Sequence, residues 1–295
     1  GQSDSRATVA ALALVFVAGL LTALATGLGA LPFFFVEEFG DRWNVALWGL
    51  ASGIMVSASL FGLFSEGLAH STGLPSLLAG GILAGVVLVE VSDRVLDEAD
   101  VGGSHDHDGV EADGGEPLHE EHALQAEAFA EGDLKKLALV LGILTIHSFP
   151  EGVAVGVSFA DLGLEGGIAV LGASVPVLAV FMTVAISIHN VPEGTAIAIP
   201  MRAMGLSNWR MVGAAVFSSL PQPIGAVIAF AFVRWARAFL PFGFGFAAGA
   251  MVYLVLTEFV PEALETGEEL PGGGRRELLA GFTAGAAVML PLLFV

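Results

Sequence analysis

From Ala7 to Val36 the chain carries no charged side chain, and stretches of about 20 residues with few or no charges recur along its length. A helix rises about 1.5 Å per residue, so about 20 residues cross a hydrocarbon core of about 30 Å. With 55% of its residues hydrophobic, the chain is too apolar for an ordinary soluble domain. The expected class is all-α: a polytopic membrane protein, one transmembrane domain over residues 1–295. Eight spans are predicted, at about 8–30, 44–67, 74–96, 134–158, 168–200, 209–233, 239–262 and 276–295. The first lacks a short apolar core followed by a cleavage signature and continues into Gly27-Leu28-Gly29-Ala30-Leu31-Pro32, so it is read as a helix and not as a signal peptide.

Orientation follows from the basic residues in alternate loops. With the N-terminus outside, the inner side collects Arg42, Arg94, Lys135, Lys136, Arg202, Arg210, Arg275 and Arg276, and the outer side Arg6, Arg234 and Arg237. The bias predicts a multi-pass protein of the cell membrane with both termini extracellular. The formal charge of −19 makes nucleic acid an unsuitable partner. Lipid is the expected partner, and a homodimer is left open. The chain has no cysteine, so any metal must be held by histidine and oxygen ligands.

One polar interruption of size remains, residues 97–133, expected to be an acidic cytoplasmic loop between the third and fourth helices. It holds His105, His107, His119 and His122 among Asp, Glu and Gly, a composition that binds divalent cations weakly. A solvated linker is the plainer reading of the acids, but four of the seven histidines lie there.

The most informative stretches sit inside the lipid. His147-Ser148-Phe149-Pro150-Glu151-Gly152 and His189-Asn190-Val191-Pro192-Glu193-Gly194 repeat one pattern in consecutive spans. His147 and Glu151 are four apart, as are His189 and Glu193, so each pair stands one turn apart on one helix face. Each proline removes a backbone N–H and disturbs the carbonyl four residues earlier, Ile146 or Ile188, which predicts a bend and freed backbone. An ionised carboxylate at the bilayer centre costs a few kcal/mol at least, and a divalent cation shared by both helices would offset it. Two imidazoles and two carboxylates suit Zn, Fe(II), Mn(II), Co(II) or Cd. Mutual packing of the four residues explains the doubled pattern less well.

The paired motifs resemble the signature of the ZIP (Zrt/Irt-like) family of divalent metal transporters, and more narrowly its GufA-type branch. The similarity extends to the GLGALP end of the first helix and to Ser218–Ala226, SSLPQPIGA, in the sixth. It implies metal import through a ZIP-type bundle in which helices 2, 4, 5 and 7 surround the path, and a metal site of His147, Glu151, His189 and Glu193. In many members a second site adjoins the first, drawn from the residue after each histidine and an acid of the sixth helix. Here those positions are Ser148, Asn190 and Gln222, so the second site is expected to be weak or absent, leaving these three as auxiliary groups. Met55 fits the family's hydrophobic gate and equally well an ordinary core methionine.

Glu66 near the outer end of the second helix, with Asp161 and Glu165 in an outer loop, could draw cations to the entrance, and Glu258 and Glu262 could receive them at the exit. Glu90 and Asp93 read most simply as solvated acids, and His70 has no evident partner. The cargo, zinc first and otherwise Fe, Mn, Cd or Co, would move toward the cytoplasm by alternating access between helices 4 and 5. No phosphate-binding GxxxxGK[ST] stretch occurs, so either a gradient supplies the energy or the pathway is passive. An intramembrane metal-dependent hydrolase would need HExxH, which is absent, so the protein is not expected to be an enzyme. The loop is too short and too polar to serve as a sensor's effector domain. A metal exporter stays open, because ligands do not encode direction.

Overall fold

The computed structural model describes residues 1–101, 126–128, 130–132, 134–163, 168–170 and 173–294. His105, His107, His119, His122 and Glu165 lie outside them. The helical stretches are α1 (Gln2–Leu28), α2 (Asp41–Ala69), α3 (Ser76–Val101), α4 (Leu134–Ser158), α5 (Val177–Ala203), α6 (Asn208–Trp235), α7 (Arg237–Thr266) and α8 (Arg275–Val288). Among the described residues, six stretches are long and apolar enough to cross a membrane: α2, α5, α6, α7, a stretch from α1 to Phe34, and α3 as far as Val95. The protein is a mostly helical, polytopic membrane bundle.

Glycines decide which helices touch backbone to backbone. In lipid no hydrophobic force drives helices together, so close approach and dispersion carry much of the association. A Cβ on Gly81 or Gly85 of α3 would overlap the carbonyl oxygens of Phe242 and Phe246 in α7, and one on Gly245 or Gly249 those of Leu78 and Ile82 in return. The same reciprocity joins Gly49 and Gly53 of α2 to Gly281 and Gly285 of α8. Elsewhere Gly29 and Gly194 bring α1 against α5, and Gly152 and Gly156 bring α4 against α6. Two groups result, α1/α4/α5/α6 and α2/α3/α7/α8, with α2 and α7 of the second facing α5 and α4 of the first.

Several elements depart from expectation. Residues predicted to open the fifth span form an antiparallel ribbon of β1 (Ile168–Val170) and β2 (Ala173–Val175), with Ile168 opposite Val175. Val175 precedes a proline, which disfavours helix there, and Pro176 then caps α5. The last helix stops at Val288 because Pro291 cannot continue it. The sixth span is interrupted at Ser219 and Leu220, where the ring of Pro221 disturbs the preceding turn. By contrast Pro150 and Pro192 lie inside uninterrupted helices. The third helix also takes in Asp97–Val101 of the predicted loop.

Wide π-turns replace α-helical turns at Ala58–Phe64 in α2 and Val255–Phe259 in α7. The second precedes Pro261, which cannot donate to the carbonyl of Thr257. Such turns re-aim side chains and recur at functional sites.

Candidate metal centre

Glu151 of α4 and His189 and Glu193 of α5 bring a ligand atom each to within 4.8 Å of one another. His189 Nε2 lies 3.0 Å from Glu151 Oε1 and 3.4 Å from Glu193 Oε2. His189 is fully buried, Glu151 nearly so, and Glu193 partly exposed. Two carboxylates around one imidazole inside a helix bundle leave an excess of negative charge that a divalent cation would neutralise.

Gln222, in the first turn after the break in α6, donates its amide to Glu151 Oε2. Its own oxygen accepts from Thr22 Oγ1 and Asn190 Nδ2, both at 2.8 Å. Asn190 Nδ2 also donates to the Thr22 carbonyl at 2.7 Å. Gln222 and Asn190 are fully buried, so their amides are spent within the protein. Ser148 turns its hydroxyl to the carbonyl of Ser218 at 3.2 Å, a group made available where α6 breaks. A donor N–H thus faces Glu151 Oε2.

His147 belongs to a different group. Its Nε2 lies 3.8 Å from Asp93 Oδ1 and 3.9 Å from Glu258 Oε1, and these three also offer ligand atoms within 4.8 Å of one another. The predicted four residues are thus distributed over two clusters, one helical turn apart along α4: Glu151 with His189 and Glu193, and His147 with Asp93 and Glu258. Asp93 was not singled out as a ligand by sequence. The signal was available, since Gly81, Gly85, Val89 and Asp93 recur every four residues, which continues the close-packed face of α3 by two turns.

Glu258 stands in the π-turn of α7, and Glu262 one turn further on is buried. Glu262 lines a cavity of about 880 Å³ with Asn44, Arg202, Thr266 and the exposed Glu37, Glu38 and Asp41. At the other end, His70 Nδ1 lies 3.6 Å from Glu66 and Nε2 4.0 Å from Asp161, which also pairs with Arg237. His70 therefore has partners that sequence did not reveal. Met55 is fully buried in the main apolar cluster with Met182, Ile186 and Met251. Glu90 accepts from Tyr253 Oη at 2.6 Å and from Arg94 at 3.3 Å.

Comparison with known proteins agrees with the motifs. The profile of the family described as ZIP Zinc transporter matches residues 89–293. The zinc transporter GufA of Myxococcus xanthus is 31% identical over 284 residues, covering 94% of this chain and 96% of that one. The zinc transporter ZupT of Corynebacterium aurimucosum is 31% identical over 293 residues, covering 95% and 96%. An Arabidopsis thaliana protein provisionally named a zinc transporter is 35% identical over 247 residues; the match takes in 83% of this chain but 34% of that longer protein. These relatives are named as transporters and not as enzymes. The chain belongs to the ZIP family of metal transporters, on its GufA-type branch.

Proposed function

We propose that this protein moves divalent transition-metal ions across a membrane toward the cytoplasm by alternating access, with zinc the foremost cargo and Fe(II), Mn(II), Cd and Co(II) compatible with the same ligands. Divalent metal transport is the common ground of the relatives. The observation that carries the reading is the buried cluster of Glu151, His189 and Glu193, a mixed nitrogen and oxygen set of the kind these metals prefer. In this reading eight helices span the membrane and both termini are outside.

Cations gather at Glu66 and Asp161, cross the apolar zone around Met55, and bind at Glu151, His189 and Glu193, which must be deprotonated to ligate them. Gln222 and Asn190 hold Glu151 in place, and their neutral amides favour a single principal ion. His147, Asp93 and Glu258 receive the ion one turn further along α4, a step of about 6 Å. The cavity beside Glu262 then leads it out of the bundle, and His105, His107, His119 and His122 of the acidic segment bind released metal weakly. That cavity opens next to Glu37, Glu38 and Asp41, which suits an exit on the side of the loop between α1 and α2.

The test is zinc uptake into proteoliposomes by the whole chain, with Glu151→Ala and His189→Ala alongside. Each variant is expected to lose nearly all uptake while remaining folded. Uptake at the unsubstituted rate in either would remove these residues from the transport role.

A further inference from the structure

We propose that Phe259 is a positioning residue for His189: the ring face of Phe259 orients the imidazole in the way that a hydrogen bond to the second ring nitrogen usually does in a metal site. The inference rests on His189 being a ligand of the transported ion, as argued above.

His189 is fully buried, and its Nε2 is the nitrogen that faces Glu151 and Glu193. Its Nδ1 is buried too and has no hydrogen-bond partner among the described residues. A metal-binding imidazole normally donates its other N–H to a carbonyl or carboxylate, which sets both the tautomer and the angle of the ring. That anchor is missing at Nδ1. In its place the imidazole lies face to face with Phe259, centroids 5.0 Å apart and planes inclined by 27°. Phe259 is backed in turn by Trp48, at 5.1 Å and 45°, and both rings are buried. Trp48 Nε1 likewise has no hydrogen-bond partner among the described residues, and the indole is held by packing. The three rings form a column from α5 through α7 to α2.

Local backbone structure makes the column. Phe259 closes the π-turn of α7, and the residue before it, Glu258, is directed to His147. Two adjacent residues of one wide turn thus address two different clusters. Removing the ring at 259 frees the imidazole to rotate about its Cβ–Cγ bond and withdraw Nε2 from the carboxylates. Loss of an orienting partner typically weakens metal affinity about 10–100-fold.

The experiment uses the full chain in detergent and in proteoliposomes, with Zn2+ as the probe. Phe259→Leu and Phe259→Met, which lack a ring, are compared with Phe259→Tyr, which keeps it, and with His189→Ala. Zinc affinity is expected to fall at least about tenfold in the Leu and Met variants and to stay within about threefold of the parent in Tyr. In uptake the loss should appear mainly in KM. A second readout comes from replacing the exposed Trp43, Trp209 and Trp235 by Phe, leaving Trp48 as the sole tryptophan, excited selectively at the red edge where tyrosine does not absorb. Zinc should change Trp48 emission in the parent and in Phe259→Tyr, and not in Phe259→Met, which decides the matter even if the Leu variant misfolds. Parent-like affinity and a preserved Trp48 response in both ringless variants, with His189→Ala weakened, would overturn this inference and leave the site intact. An unweakened His189→Ala would overturn both.

Discussion

Gln222 grips Glu151 by the carboxylate oxygen that His189 does not touch, so the two oxygens of one buried acid are engaged from opposite helices. Replacing the amide by a carboxylate turns that donor into a competing anion and adds a ligand. Gln222→Glu is therefore expected to raise bound zinc from one ion per chain at the buried cluster to two, read by equilibrium dialysis with metal analysis. Gln222→Leu should keep one ion and bind it about tenfold more weakly. A Glu variant that still binds a single ion would show that this position does not decide the number.

Asp93 lies beside His147 and Glu258, past the cluster proposed to hold the ion first. Asp93→Ala should slow turnover about tenfold while leaving the half-saturating zinc concentration nearly unchanged, because it touches a later step. Initial-rate uptake over a range of zinc concentrations separates the two parameters. A rise in KM with unchanged turnover would assign Asp93 to loading instead.

Ligands must shed protons to bind metal, so protons and cargo compete at Glu151, His189 and Glu193. The sign is fixed by mass action: as pH falls, the protonated fraction rises and apparent affinity falls. KM for zinc should grow by up to about tenfold per pH unit for each proton displaced, measured with equal pH on both sides of the vesicle. A KM that stays constant on acidification would contradict ligation by these groups.

A side chain at Gly85 would meet the backbone of α7 at Phe246. Gly85→Val should destabilise the fold by about 3 kcal/mol through overpacking, seen as a lower melting temperature in detergent. Leu83→Ala is the control, since Leu83 is exposed and should tolerate the change. Equal melting temperatures for the two variants would argue against the close helix seam.

The helical period made the doubled motif legible, because His and Glu four residues apart share a face whatever the helix packs against. It could not say which other helix supplies partners, and for that reason Asp93 looked like a solvated acid near a helix end. His70 was opaque for the same reason: Glu66 is its neighbour in sequence, but Asp161 reaches it from another part of the chain. The neutral character of Gln222 was readable from composition, whereas its donation to Glu151 depends on how α6 breaks at Ser219. The spacing of Gly81 and Gly85, and of Gly245 and Gly249, announced close helix contact but not that the two pairs face each other. The β1–β2 ribbon was hidden because its residues are as apolar as the helix they precede.

The glycine seams sort the bundle mechanically. At the α1/α5, α1/α6, α4/α6, α3/α7 and α2/α8 seams the backbones approach each other directly at glycine, which ties the helices of each group together. Glu151, His189 and Glu193 all belong to the first group, so they would travel together as one carriage if the groups shifted against each other. His147 shares that carriage, but Asp93 and Glu258 stand on the other platform. The cluster that His147 completes is therefore a docking-dependent one: it exists in the arrangement seen here and comes apart with any displacement that leaves the first cluster whole.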